Sequence, residues 1–391
     1  MPISVYMLAL CNAYMFICSS LLITLSALIG FQLAPVKTLA TLPMALQFLA
    51  IMLVSFPASM LMGRIGRKYG FILASLIGIT GALIATWSIF NSNFWAFCLA
   101  TFCFGSFNAF GNFYRFTAAE LVTSEKRSTA ISYVMAGGVI AAFIGPNLAT
   151  ISHNLIPDYQ FAGAFAVLIG VYLLSLVTIS LAKLPPAAPA SSRRGGRPLW
   201  EIATQPVFIV AVICEMLGYG TMNLVMTSTP LAMQVMEHGI ANTAFVIQWH
   251  VVSMFLPSFF TGHLIKRFGI VSVLGTGALL GLLCVGVNLM GTTVAHFTTG
   301  LVLLGVCWNF LFVGGTTLLT EAYRPEEKNR AQGFNDFLVF STVTITALCA
   351  GGMHHLFGWR VVNFSVIPLF LLCLAGITWL YLIQRRSATV A

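Results

Sequence analysis

Charge is what this sequence has least of. Only 7% of its 391 residues are Asp, Glu, Lys or Arg, against about 25% in ordinary soluble domains. Apolar runs of 20 or more residues recur from end to end without the polar faces that a soluble helical core requires. A large soluble fold is therefore excluded. The nine cysteines contain no C-x-x-C, fall almost wholly inside the apolar runs, and read as small buried side chains. The seven histidines are scattered, and the one adjoining pair, His354-His355, lies in a loop. No metal site and no cofactor is expected. There is no P-loop, no G-x-S-x-G and no H-E-x-x-H, which removes the common routes to a membrane enzyme. The formal charge of +9 comes without interleaved aromatics or a soluble domain, so no nucleic-acid partner is expected.

What is present is hydrophobic residue, 59% of the chain. Twelve spans can be drawn at roughly 4–31, 37–62, 70–90, 94–117, 129–152, 162–183, 205–232, 241–265, 270–291, 294–319, 332–353 and 359–383. Each is long enough to cross a hydrocarbon core of about 30 Å as a helix. The composition predicts an all-α membrane protein of twelve transmembrane helices, with lipid as its surroundings. The first run is too long for a signal peptide and lacks a basic n-region, so no cleaved leader is expected.

The basic residues give an orientation. Of 19 Lys and Arg, 16 fall in alternate loops or the tail: Arg64, Arg67 and Lys68; Lys126 and Arg127; Lys183, Arg193, Arg194 and Arg197; Lys266 and Arg267; Arg324, Lys328 and Arg330; Arg385 and Arg386. Lys37 and Arg360 fall on the other side, and Arg115 lies within a span. The positive-inside rule then puts both termini in the cytoplasm. Short loops and a lean tail suggest a bacterial inner-membrane protein that works as a monomer.

One segment, "LPPAAPASSRRGGRPLW" at 184–200, has the composition of a flexible solvated connection. It divides the chain into an N-terminal six-helix bundle (1–183), a cytoplasmic linker (184–204) and a C-terminal six-helix bundle with a short tail (205–391). The halves repeat. Asn108, Glu120, Glu125 and Ala130 recur 201 residues later as Asn309, Glu321, Glu326 and Ala331; Arg64-x-Gly66 recurs 203 residues later as Arg267-x-Gly269. Internal repeats of this kind are a transporter architecture.

These features resemble the major facilitator superfamily over the whole chain. The family motif between spans 2 and 3 reads Gly-x-x-x-Asp-Arg-x-Gly-Arg-Lys/Arg. Arg64, Gly66, Arg67 and Lys68 fit it, whereas Ser59 replaces the first Gly and Gly63 the Asp. The resemblance implies a gating role for Arg64, Gly66, Arg67 and Lys68. It also implies that Glu120 pairs with Arg67 within one half, and that the inner end of span 2 lies beside that of span 11. Asp336, five residues into span 11, is then expected to meet Arg64 or Arg67 and latch the inner gate. Stabilisation of a helix N-terminus would place an acid there equally well. The antiporter marks are incomplete: Thr101 stands where an Arg is expected, and only Gly145-Pro146 remains of the span 5 signature.

Charges inside the membrane cost at least ~2.5–3.5 kcal/mol on insertion scales and so point to function. Glu215 sits about 15 Å into span 7, with Tyr219 and Asn223 on the same face. Asn108, Asn112 and Arg115 make a second stripe on span 4; Asn12 and Phe16 stand on span 1, and Trp308 and Asn309 on span 10. Such groups must face a cavity or other helices, and both arrangements satisfy the requirement. The family fold lines its cavity with spans 1, 4, 7 and 10, which makes these ten residues the candidate substrate contacts. Glu215 is also the candidate proton carrier, since burial favours its neutral form.

Amides and aromatic rings with little charge suit a small, largely neutral solute, perfused with hydrogen-bonding edges and flat faces. The stretch "GVCWNFLFVGGTTLLTEAYRPEE" with "QGFNDFLVF" is similar to a proteobacterial branch of the superfamily associated with riboflavin uptake. Three substrate readings stay open: riboflavin import, uptake of another neutral metabolite, and proton-coupled efflux of drugs or toxic compounds.

Overall fold

The computed structural model describes residues 1–36, 39–152, 155–186 and 196–390. Lys37, Arg193 and Arg194, and the linker stretch 187–195 with them, lie outside the described residues. Among the described residues the regular structure is helical, with no strand. In order the helices are α1 (Ile3–Leu33), α2 (Leu42–Ile65), α3 (Arg67–Phe90), α4 (Phe94–Gly111), α5 (Tyr114–Glu120), α6 (Arg127–Ser152), α7 (Ala162–Leu181), α8 (Leu199–Ala203), α9 (Pro206–Val235), α10 (Ile240–Phe255), α11 (Ser258–Phe268), α12 (Ile270–Met290), α13 (Val294–Leu319) and α14 (Lys328–Val390).

Apolar composition turns these helices into membrane crossings. Ten of them, with α4 and α5 taken as one, are long and apolar enough, and the pair α10–α11, bent by 43°, makes an eleventh. Pro257 stands at that bend, where its missing N–H interrupts the helical ladder. The apolar part of α14 runs over 59 residues, about 90 Å, or three times a hydrocarbon core. It breaks at Gly358, whose φ of 74° lies outside helical space. Two legs result, and the count reaches the twelve expected from hydropathy. Leu53, Leu83, Leu99, Leu283, Leu348 and Leu371 all stand exposed on helix surfaces, as hydrocarbon surroundings permit and water does not.

The chain forms two compact units. The first is Met1–Thr123 and Tyr133–Gly195 together with Gln332–Phe337; the second is Ser124–Ser132, Gly196–Ala331 and Leu338–Ala391. Each unit thus includes the opening turns of a helix whose remainder belongs to the other. In the first, small residues allow close approach: a Cβ on Gly333 of α14 would stand 2.9 Å from the Ser59 side chain of α2. The C-terminal part of α2 therefore lies beside the start of α14, the neighbourhood the family resemblance implied. In the second, a Cβ on Gly262 of α11 would stand 2.6 Å from Thr129 at the start of α6.

The repeat also appears in backbone angles. Gly66 joins α2 to α3 at φ 92°, ψ 155°, and Gly269 joins α11 to α12 at φ 83°, ψ 155°. Both angles fall where an L side chain is strained, which explains glycine at both copies of the motif.

Candidate functional site

The first unit holds three of the five buried charges among the described residues, Arg67, Arg115 and Asp336. Arg67 opens α3, and its guanidinium meets Glu120 Oε1 at 2.8 Å. It also donates to Gln332 Oε1 at the start of α14. Gln332 Nε2 in turn donates to Glu120 Oε1 at 3.4 Å, closing a triangle. The Arg67 guanidinium lies 5.4 Å from the Phe113 ring centroid. One helical turn along α14, Asp336 Oδ1 accepts from Arg115 Nη2 at 2.6 Å and from Asn335 Nδ2 at 3.1 Å. Arg115 donates to the Asn112 carbonyl at 2.9 Å and covers the Phe116 ring at 4.4 Å. Arg115 is 2% exposed and Asp336 0%. Charges so deep are tolerated only when paired and hydrogen-bonded.

Two expectations are corrected here. Asp336 was expected to meet Arg64 or Arg67; its ionic partner is Arg115, and Arg64 stands exposed at the end of α2. Arg115 was expected to line a cavity below Asn108 and Asn112. Instead it meets Asp336 on α14. The expected pairing of Glu120 with Arg67 is present. Gly66 fixes the turn that starts α3 at Arg67, and Lys68 beside it is half-buried.

The second unit holds the other cluster. Tyr219 of α9 stands edge-on to three rings: Trp308 at 5.4 Å, Phe312 at 5.5 Å and Phe340 at 5.8 Å. Trp308 stacks on Phe312 at 5.0 Å and meets Phe255 edge-on. Tyr219 is half-buried, whereas its three ring neighbours and Phe255 are buried. One turn before it, Glu215 is fully buried against α13, where a Cβ on Gly315 would come within 2.6 Å of its Cγ. Glu215 therefore sits at a helix–helix crossing rather than on an open face.

The amides divide between the two roles left open by the sequence. Asn309 is 0% exposed. Its Nδ2 donates to the Met254 carbonyl and Ser258 Oγ, and its Oδ1 accepts from Thr261. It splints the α10–α11 bend from α13, which corrects the expectation that it contacts substrate. Asn12 donates to the Val134 carbonyl at 2.9 Å, and Asn223 to the Val343 carbonyl and Thr346. Asn108 donates to Ser19 Oγ at 3.0 Å, joining the two polar stripes of α4 and α1. Phe16 and Asn112 are half-buried. Sequence reasoning missed Gln332 and Asn335; the signal was present in "QGFND", where Gln332 precedes Asp336 by one helical turn.

Comparison with known proteins agrees with this architecture. The sequence profile of the Major Facilitator Superfamily matches residues 7–256 and 239–391. The chain belongs to the major facilitator superfamily. It is a multi-pass membrane transporter, not an enzyme. The riboflavin transporter RfnT of Brucella anthropi is 38% identical over 356 residues, covering 90% of this chain and 89% of that protein. Among solved structures, the human organic anion transporter MFSD10 superposes with a TM-score of 0.76 at 16% identity, over 96% of this chain and all of that one. The Escherichia coli fucose:proton symporter FucP gives 0.74 at 15% identity, over 96% and 97%. These two likenesses establish the superfamily fold and nothing narrower.

Proposed function

We propose that this superfamily member imports riboflavin across a bacterial inner membrane, with both termini in the cytoplasm. The observation that carries this reading is the 38% identity to a riboflavin transporter over nine-tenths of both chains. The ring cluster supports it. Riboflavin is neutral, with a flat tricyclic ring and a polyhydroxyl tail. The half-buried Tyr219, backed by Trp308, Phe312 and Phe340, offers an aromatic face for the ring. Transport proceeds by alternating access of two six-helix halves, 1–183 and 205–391, joined by the 184–204 linker. The chain acts as a monomer.

Gating in this reading falls to the buried charges. Arg67, Glu120 and Gln332 with Arg115 and Asp336 hold the start of α14 while the cytoplasmic end is shut, and their separation opens it. Glu215 carries a proton with the solute. The experiment is rescue of a riboflavin-auxotrophic bacterium that lacks its own importer. Growth on low riboflavin through this chain is expected, with loss of that growth in Tyr219→Ala. Absence of rescue by a protein that reaches the membrane would reject riboflavin import.

A further inference from the structure

The linker's composition predicts a solvated tether, yet its last residues are docked. Arg197 reaches one carboxylate three times: its backbone N–H donates to Glu327 Oε1 at 2.8 Å, its Nε to the same oxygen at 3.0 Å, and its Nη2 to Oε2 at 2.7 Å. The same Nη2 donates to the Ala322 carbonyl at 3.1 Å, which also accepts from Gln205 Nε2 at 3.0 Å. Glu327 Oε2 takes a further bond from the Arg324 N–H at 2.9 Å. Bidentate guanidinium–carboxylate pairs of this kind fix geometry as well as adding energy.

The backbone is adapted to the contact. Gly196 has φ 83°, and a Cβ there would stand 2.6 Å from Glu327 Cγ. Only glycine fits on both counts. Ile202 of the short helix α8 is fully buried and anchors the segment from behind. On the other side, the Glu327 carbonyl accepts from the N–H groups of Arg330 and Ala331, so Glu327 is the cap at the N-terminus of α14. Gln332 and Asp336, which hold Arg67 and Arg115, occupy the next two turns of that helix.

We infer that Arg197 and Glu327 form a clasp by which the linker positions the opening turns of α14, making Arg197 a positioning residue for the gate. The functional half of this inference rests on the gating reading above; the positional half does not. An unclasped Glu327 leaves the cap of α14 free to fray, and Gln332 and Asp336 lose their register toward Arg67 and Arg115. The described end of the linker is then docked and reports its position to the gate helix.

Hydrogen exchange on the full-length protein, without substrate, tests this directly. Arg197→Gln and Glu327→Gln are each expected to raise exchange of the 328–337 amides at least tenfold, while α13 stays as protected as in the wild type. Arg197→Lys keeps the charge but not the fork, and an intermediate effect is expected. The charge-exchanged pair R197E/E327R is expected to recover most of the protection. In proteoliposomes, Arg197→Gln is expected to lower kcat with KM unchanged. Wild-type protection of 328–337 in Arg197→Gln would overturn the clasp, as would an equal rise across every helix. Because exchange needs no solute, this result stands apart from whether riboflavin is the cargo.

Discussion

At Gly333 a Cβ would come within 2.9 Å of Ser59; at Gly262 one would come within 2.6 Å of Thr129. Each is a seam where the start of one helix presses on a neighbour through small residues. Ser59 and Gly262 are separated by 203 residues, the offset of the repeated turn. The chemistry beside the two seams differs. Around the first lie Arg67, Glu120, Gln332, Arg115 and Asp336. By the repeat offsets the counterparts of Arg67, Glu120, Gln332 and Arg115 are Ile270, Glu321, Ile131 and Thr316. There the bonds are Ser128 Oγ to the Gly262 carbonyl at 3.2 Å and Arg127 to the Thr320 carbonyl at 3.5 Å. Close approach of helices therefore needs only small side chains. Buried charge is an addition made at the first of these two seams, where the proposed gating would use it.

The comparison breaks most severely at Arg115. Removing one partner of a buried ion pair leaves the other uncompensated, at a cost of about 3–5 kcal/mol. Arg115→Ala is expected to abolish folded, monodisperse protein in size-exclusion chromatography. Asp336→Asn leaves a polar, neutral partner and is expected to fold but to shift the balance of outward- and inward-facing states. Substitution of Thr316, the matching residue in the second seam, is expected to do neither.

A smaller effect separates the repeated turns. Arg67→Gln loses the bonds to Glu120 and is expected to reduce net riboflavin uptake about tenfold, equivalent to ~1.4 kcal/mol. Arg267, the counterpart of Arg64 in the second turn, is exposed beside the Phe268 ring at 5.3 Å. Arg267→Gln is expected to change stability and uptake by less than ~0.5 kcal/mol. Equal losses at both positions would erase the asymmetry between the turns.

The smallest effect concerns pH. Hydrogen bonds from Arg197, followed by those from the Arg324 and Arg197 backbones, hold the Glu327 carboxyl down from its ordinary 4.5 to about 2. A group lowered on folding contributes stability above its unfolded value and loses it as pH falls through the folded one. Thermal unfolding of wild type and Glu327→Gln is therefore expected to differ most above pH 4.5 and to converge toward pH 2. A gap that widens on acidification would contradict the clasp's electrostatics.

Most of the fold was legible because bilayer thickness and hydropathy together fix span number, and repeated residues reveal the halves. Gly66 and Gly269 were readable as a pair, and their shared backbone angles bear that out. The Arg67–Glu120 pair was readable from the motif. The partner of Asp336 was not, because Arg115 and Asp336 lie 221 residues apart and no spacing rule joins them. Asn309 was read as facing a solute, but Pro257 bends the neighbouring span and the amide splints that bend. Arg197 and Glu327, 130 residues apart, carry no periodicity to join them. Their meeting depends on a loop path that composition alone reads as solvated.

Counterflow of labelled riboflavin into proteoliposomes holding only this purified chain tests the central claim most directly. The expected result is saturable uptake that rises when unlabelled riboflavin is preloaded and falls when it is added outside. Label entering no faster than into empty vesicles, from correctly folded protein, would contradict it.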